Sequence, residues 1–516
     1  MQSNLTFFPL LQPERAGLWS QISSFNPQSI VLLGDSMYAD KRGSVLTPFI
    51  AATPKDIAEG YRLLKNDVDF QTMVEKVGGW NNVAATFDDH DFGINNGDKS
   101  YAFVKESQQL FWDFSQEGSS SYKRKQSGVY SSKVFTIELT DSTLQSQENG
   151  SSSSGNKTKE STFTYKIIML DTRSNRENTP TTSHQTTDAM KGGDFLGEEQ
   201  WAWLIEELKS DVDLVLLGSS IQVFPTDKLT EEVWGMFLAA RERLLSAMLN
   251  ARSSNVLVLS GDVHYAEVSK IKCTWQESVK ENIDKSQNKR ISKTFWELTS
   301  SGLTHTFYRR AQLKSALLGN DDSAPKAVAL EEMTELWPRM KSFIYNIYQA
   351  TFPSHYREQR YGDHFSGLNF GLLDIDIDTY QNDSEGEMLN GYIGSDGSFS
   401  MTCANNGSVE CVPYNGGTHK VVNSVTFRAV NHLGQTVIQK NIPLNARKER
   451  SSVQVENIVC VPFWGPVPIW RTGLMYFMVF VPIVLLFIIL PLVLISAAVM
   501  SYRNRLSLPA SKKKKL

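Results

Sequence analysis

Gly34-Asp-Ser-Met-Tyr-Ala-Asp40 follows the apolar run Ser29-Ile-Val-Leu-Leu33. A short apolar run that ends in Gly-Asp predicts a buried strand that delivers a carboxylate to a sheet edge. Two more acidic clusters lie downstream. Thr86-Phe87 leads into Asp88-Asp89-His90-Asp91-Phe92-Gly93-Ile94-Asn95-Asn96-Gly97, and Asn255-Val-Leu-Val-Leu259 leads into Ser260-Gly261-Asp262-Val263-His264. Oxygen and nitrogen ligands brought together from three strand ends are what a multi-metal hydrolytic site requires.

Working outward, strands and helices alternate. Glu14 to Ser23 predicts a short helix. Thr53-Pro54 is a helix start, and Ile57, Tyr61, Leu64, Val68 and Val74 form a helical apolar stripe as far as Val77, read as core packing. Tyr101 to Phe114 predicts a helix, Val129–Leu139 and Phe163–Arg173 a strand pair. Gln200 to Leu208 predicts a helix, Asp213–Leu217 a strand, Glu231 to Leu249 an amphipathic helix. This alternation up to about residue 265 argues for an α/β body. Glu267–Cys273 and Thr294–Leu298 predict strands that flank a polar loop, and Leu336 to Gln349 predicts a helix with Pro338 in its first turn. Asn369–Ile377, Val425–Val430 and Gln435–Gln439 predict late antiparallel strands, with His432-Leu-Gly434 as a hairpin turn. The polar stretches 141–161 and 276–293 read as surface insertions in a domain that spans 1–445.

Charged residues make up 21% of the 516 positions and the net charge is −4, which gives no global pull toward nucleic acid or anionic membranes. The four cysteines lie away from the acidic clusters, so thiolate metal ligation is not expected. Cys403 and Cys411 bracket a polar loop, a spacing that suits either a local disulfide in an oxidising compartment or two free thiols.

After a linker at 446–472, residues 473–502 predict one membrane-spanning helix, because no charge occurs between Arg471 and Arg503. Pro482 and Pro491 are tolerated in such a helix. Trp464, Trp470 and Tyr476 sit at one end as interfacial aromatics do, and the basic tail 503–516 follows the other. The positive-inside rule then puts the tail in the cytosol and the body across the membrane. The closing Lys-Lys-Lys-Leu516 resembles a dilysine retrieval signal of the endoplasmic reticulum; a juxtamembrane charge anchor is the plainer reading. Asn4, Asn149, Asn156, Asn382 and Asn406 are glycosylation acceptors if the body is luminal. Met1-Gln-Ser-Asn-Leu-Thr-Phe-Phe lacks the basic and apolar regions of a signal peptide. The expectation is therefore either further sequence upstream or a tail-anchored protein with its body in the cytosol. A single span excludes a channel or transporter.

Four ionisable groups in a row, Asp88 to Asp91, repel one another unless a cation sits among them. Two ions held between such clusters would bind a phosphate, make hydroxide from water and neutralise a leaving oxygen. Asp35 or Asp262 could bridge the ions. Tyr38 lies three residues after Asp35, and a tyrosinate ligand favours a ferric ion.

Together with Leu170-Asp-Thr-Arg173 and Glu297-Leu-Thr-Ser-Ser-Gly-Leu-Thr-His305, the three clusters resemble the PhoD-like (alkaline phosphatase D type) metallophosphatases, most closely the eukaryotic branch, over roughly 18–440. The resemblance implies a calcineurin-like phosphoesterase sandwich of two mixed sheets flanked by helices, phosphate-ester hydrolysis, and iron and calcium as ions. Carried over residue by residue, it makes Asp35, Tyr38, Asp89, Asp262 and His264 metal ligands. Asp88, Asn95 and Asn96 become candidate second-ion or phosphate ligands. His90 would contact the phosphate and protonate the leaving oxygen, with Asp91 orienting it; Arg173 would either clamp the phosphate or, as an Arg after a strand often does, make a structural ion pair. His305 and His364 are candidates for the pocket lining. One departure stands out. The family's first strand ends in Gly-Ser-Cys, and here no Cys precedes 273. The expected function is a membrane-anchored metal-dependent phosphatase or phosphodiesterase with a luminal site in the secretory pathway. The alternative is a non-catalytic endoplasmic reticulum relative that keeps the fold for binding.

Overall fold

A computed structural model describes residues 17–42, 49–139, 161–178, 192–228, 231–281, 285–303, 353–380, 391–393, 399–401, 419–445 and 458–467, with single positions near the C-terminus. The chain starts with α1 (Leu18–Ser24) and β1 (Ile30–Leu32), then a small hairpin of β2 (Lys41–Arg42) and β3 (Phe49–Ile50). The predicted helix 53–77 is two helices, α2 (Pro54–Lys65) and α3 (Val68–Lys76). Asp67 ends the first stripe by capping the second helix: its carboxylate accepts from Phe70 N at 2.8 Å. Thr53 and Asp56 form a reciprocal capping box at the start of α2. Next come β4 (Val83–Ala85), the single turn α4 (Asp89–Phe92) and α5 (Val104–Phe114).

The strand pair appears as β5 (Ser131–Leu139) and β6 (Ser161–Met169), followed by α6 (Gly197–Glu207) and β7 (Leu214–Ser219). The amphipathic helix expected from Glu231 begins only at Leu238, as α7 (Leu238–Leu249), because Glu232 is drawn into the site described below. After β8 (Val256–Ser260), the predicted short strands extend into one long hairpin, β9 (Ala266–Glu281) with β10 (Lys285–Ser300). The polar stretch 276–293 pairs as its far half, from Gln276 opposite Arg290 to Glu281 opposite Lys285. The remaining strands are β11 (His364–Phe365), β12 (Asn369–Tyr380), β13 (Gly391–Ile393), β14 (Phe399–Met401), β15 (His419–Asn431), β16 (Thr436–Pro443) and β17 (Val459–Pro462). Gly434, at φ +76°, makes the turn between β15 and β16 that the sequence predicted.

The large mixed sheet runs β11-β9-β10-β8-β7-β6-β5, with β17 also on the edge of β9. Its centre, β6-β7-β8-β10, is parallel. Such strands are covered on both faces, which is why β7 and β8 read as unbroken apolar runs. One face packs on α6 and α7 through Trp201, Leu204, Leu244 and Met248. The other face meets a second layer, made of the parallel pair β1-β4 and the antiparallel sheet β12-β15-β16, through Ile167, Leu216, Leu259, Val425, Phe427 and Ile438. Helices α2, α3 and α5 cover the outside of β1-β4 with Ile57, Phe70, Met73 and Phe111. The result is a mixed α/β sandwich with helices on its outer faces. Its second layer, among the described residues, consists of these two separate sheets.

Cys273 on β9 is bonded to Cys460 on β17, 187 residues away in sequence. Cys403, Cys411, the five glycosylation acceptors, His305, the helix expected at 336–349 and most of 473–502 lie outside the described residues. Among the described residues no helix is long and apolar enough to cross a membrane.

A buried ion cluster pins β9 to neighbouring loops. The Glu267 carboxylate, fully buried, accepts from Arg357 Nε at 2.5 Å, Lys228 Nζ at 2.7 Å and Gln222 Nε2 at 2.7 Å. Burial alone would raise its pKa, but the two cations hold it far below the usual carboxylate range. Glu267→Gln leaves both cations without that counter-charge, and we expect a loss of about 3–5 kcal/mol in urea unfolding. A change under about 1 kcal/mol would show that the cluster is not a stabilising element.

Candidate metal centre

The loops after β1, β4 and β8 converge at the same end of the sandwich. Gly34 permits the first contact. It sits at φ +99°, and a Cβ there would fall 2.4 Å from Asp88 Cβ, so only glycine lets the two acidic loops touch. Six described residues other than glycine have positive φ, and four of them are Asp35 (50°), Asn96 (54°), Asp262 (69°) and His264 (59°). Backbone strain of this kind, costing about 1 kcal/mol or more per residue, concentrates where side-chain aim matters.

One carboxylate oxygen from each of Asp35, Asp88, Asp89 and Asp262 lies within 4.8 Å of the others, and Asp35, Asp89 and His90 meet the same condition. Asp35 Oδ1, Asp88 Oδ2 and Asp89 Oδ1 are buried and accept no hydrogen bond. Buried carboxylate oxygens are otherwise satisfied, so three orphans facing one space match the donor set of a hard or borderline cation. Burial, and then the charges of Asp89 and Asp88, raise the Asp35 pKa well above its usual value; the same causes raise Asp262. Asp88 is pushed up to about 6 by burial, against the pull of Arg173. Burial would also raise Asp89, but His90 and Arg173 bring it down to about 2.

The sequence-predicted residues fall into distinct places. Tyr38 Oη donates to Asp35 Oδ2 at 3.1 Å and lies 3.3 Å from His264 Nε2. Its ring packs on the His90 ring with centroids 4.1 Å apart. Asp91 does not contact the His90 ring through a hydrogen bond. Its carboxylate accepts from Met37 N and Asp88 N, both at 3.0 Å, and so ties the first two loops together. The partner of His90 Nδ1 is Asp40, at 2.7 Å. Burial would lower the His90 pKa, but Asp89 and Asp40 raise it to about 9. Asn95 contributes its backbone N–H to Asp40 Oδ2, and Asn96 contributes its own to Asp89 Oδ2.

Arg173 is fully buried. Its Nε donates to Asp88 Oδ1 at 2.6 Å, and its Nη1 is paired with Glu232. Glu232 also pairs with Arg176. Arg173 therefore braces Asp88 through Nε, while its Nη2, which makes no hydrogen bond, lies 4.0 Å from Asp262 Oδ1. Ser220 Oγ completes the brace, donating to the same Asp88 oxygen at 2.7 Å. His364, on β11, packs its ring against Tyr265 beside the Glu267 cluster, outside the four-carboxylate group. Sequence reasoning missed Asp40 and Glu232. Asp40 carried a signal, since it closes the Gly34–Asp40 motif; Glu232 carried none, since its register inside an apparent helix hid it.

Residues 163–343 match the family model for PhoD-like phosphatase, a stretch that carries Arg173, Asp262 and His264. Asp35 and the Asp88–Asp91 block lie outside that match and reach the same pocket through the fold. No curated protein matches the chain. A solved structure titled "Structure of PhoD" is similar at 16% identity and a TM-score of 0.34, covering 55% of this chain. The chain spans about half, 54%, of that structure's length. Residues 163–343 are thus similar to PhoD-like phosphatases, in agreement with the motifs.

Proposed function

We propose that the chain is a metal-dependent phosphate-ester hydrolase anchored by a helix at 473–502, its body in the lumen of the secretory pathway. The observation that carries the catalytic reading is the set of orphaned, buried oxygens on Asp35, Asp88 and Asp89, grouped with Asp262. Asp35, Asp88, Asp89 and Asp262, with Tyr38 and His264 at the rim, would hold two ions; Tyr38 favours iron for one, and the family suggests calcium for another. Ions bound there would lower the pKa of a coordinated water and neutralise charge on the phosphoryl oxygens.

The protein's own groups do the rest. Asp40 fixes the tautomer and direction of His90, so that the protonated imidazole faces the carboxylate group through Nε2, which lies 3.9 Å from Asp89 Oδ1. From there it can give a proton to the departing alkoxide. Arg173, Ser220 and Glu232 keep Asp88 in one rotamer, with Oδ1 engaged and Oδ2 turned to the site. Asp91 locks the first two loops in register.

Purified full-length protein should hydrolyse a chromogenic phosphate ester, and Asp262→Ala and His90→Ala should each lower kcat by at least about 100-fold. Normal turnover in both variants would remove the site. The alkaline limb of the kcat–pH profile should reflect His90, which is active while protonated and inactive above its pKa. Asp40→Asn should move that limb to lower pH by about one unit, because one of the three charges that raise the pKa, together with its hydrogen bond, is gone. Chelation gives a separate check. Burial raises the folded pKa of Asp88 to about 6 and of Asp91 to about 7, so both favour the fold while protonated, and that contribution is lost as pH rises through those values; the raised Asp35 and Asp262 act in the same direction. The chelated protein should therefore melt lower at pH 8 than at pH 6. Asp35→Asn should raise its melting point by about 2–4 °C per kcal/mol of relieved repulsion, yet lower the metal content of the untreated protein.

A further inference from the structure

Strand β17 runs antiparallel along the outer edge of β9, with Cys460 opposite Cys273 and Pro462 opposite Ile271. The chain here travels toward the Ala266 end of β9, the end that follows His264. Its next two residues, Phe463 and Trp464, are 40% and 48% exposed. They are held rather than dangling. Trp464 N donates to His355 O at 3.1 Å, and Trp464 Nε1 donates to Arg357 O at 2.8 Å. Beside them the turn Gln359–Gly362 is exposed, with Tyr361 at 66%. Cations cap the rings. The Arg360 guanidinium lies 4.9 Å from the Trp464 ring centre and Lys270 Nζ 5.0 Å from that of Phe463. Arg360 has no carboxylate partner among the described residues.

Three large rings exposed together, with an unneutralised guanidinium on top, gain little from water. They suit a bilayer interface, where Trp and Tyr lie at headgroup level and Arg reaches lipid phosphate. Chain length points to the same occupant. The continuous described stretch reaches Val467, and the apolar run begins at Leu474, so six residues, seven steps of at most about 25 Å in all, join the patch to the proposed span.

We propose that the face formed by Arg360, Tyr361, Phe463 and Trp464 lies on the surface of an anionic lipid bilayer, held in place by the Cys273–Cys460 disulfide. This rests on the proposed span but not on catalysis. From Ile271 back to His264 is seven residues, about 23 Å of strand, so the metal centre stands roughly that far along β9 from the contact.

The test uses the full chain reconstituted in phosphatidylcholine vesicles containing phosphatidylserine, with and without bromine-labelled acyl chains, and with reductant absent. The emission difference between wild type and Trp464→Phe isolates Trp464 from the other ten tryptophans. Brominated lipid should quench that difference by about half or more, and Arg360→Glu should reduce the quenching at least about twofold. Tyr122→Trp, at the opposite edge of the sheet beside β5, should add emission that brominated lipid leaves untouched. Protein that fails to float with the vesicles would sink both anchor and contact. Protein that floats, melts normally and shows an unquenched Trp464 difference would sink the contact alone, leaving the face to a protein partner. Ester hydrolysis does not enter either readout, so an inactive protein with quenched Trp464 would still support the proposal.

Discussion

Four carboxylates, Asp35, Asp88, Asp89 and Asp262, share one buried space with a single guanidinium close by, that of Arg173. At an effective dielectric of about 20, two such charges 4 Å apart repel by about 4 kcal/mol. No packing term in the vicinity offsets several such pairs. The arrangement is tolerable only where protons or cations enter, and the loops, the strained φ angles and the buried Arg173–Glu232 pair all serve to keep these oxygens facing one another. The rest of the sandwich is the frame that makes this unfavourable proximity hold.

Much of that frame could be read in advance, for a definite reason. Strands β7 and β8 are covered on both faces, so their apolar runs are unbroken and bounded by polar residues at each end. The three acidic motifs sit at strand ends, where a turn residue marks the boundary, and Gly34 and Gly261 mark two of them. Elsewhere periodicity misled. Thr53 to Val77 carries one apolar stripe, yet Asp67 starts a new helix because its side chain satisfies a free backbone amide. The polar segment 276–293 looks like a loop by composition, but its backbone continues the ladder of β9 and β10. Register, not composition, decides that case, and a single sequence shows no register.

The motifs pointed to side chains that the fold places near one another, but not to the groups that support them. One carboxylate oxygen from each of Asp35, Asp88, Asp89 and Asp262 shares a common space, and Tyr38 touches both Asp35 and His264. The adjacency of Asp91 to His90 implied an interaction that a helical turn forbids: consecutive side chains on α4 point apart, and Asp91 serves the backbone instead. The residue that does meet the imidazole is Asp40, fifty positions earlier. In sequence Arg173 is open to two readings, a phosphate clamp by resemblance or a structural ion pair by its place after a strand. Its full burial and its pairing with Asp88 and Glu232 are tertiary facts that no local pattern encodes.

The parallel order β6-β7-β8-β10 also constrains how the molecule comes into being. During synthesis the first two acidic loops emerge long before the third, which must wait for β8, and β8 gains its second neighbour only when β10 has left the ribosome. Parallel pairings between distant segments form late. The nascent chain therefore carries Asp35 and Asp88–Asp91 without Asp262 until β8 and β10 have been made, a little past the middle of the chain. A cation able to sit among these carboxylates would find the full set of oxygens only after that assembly is complete.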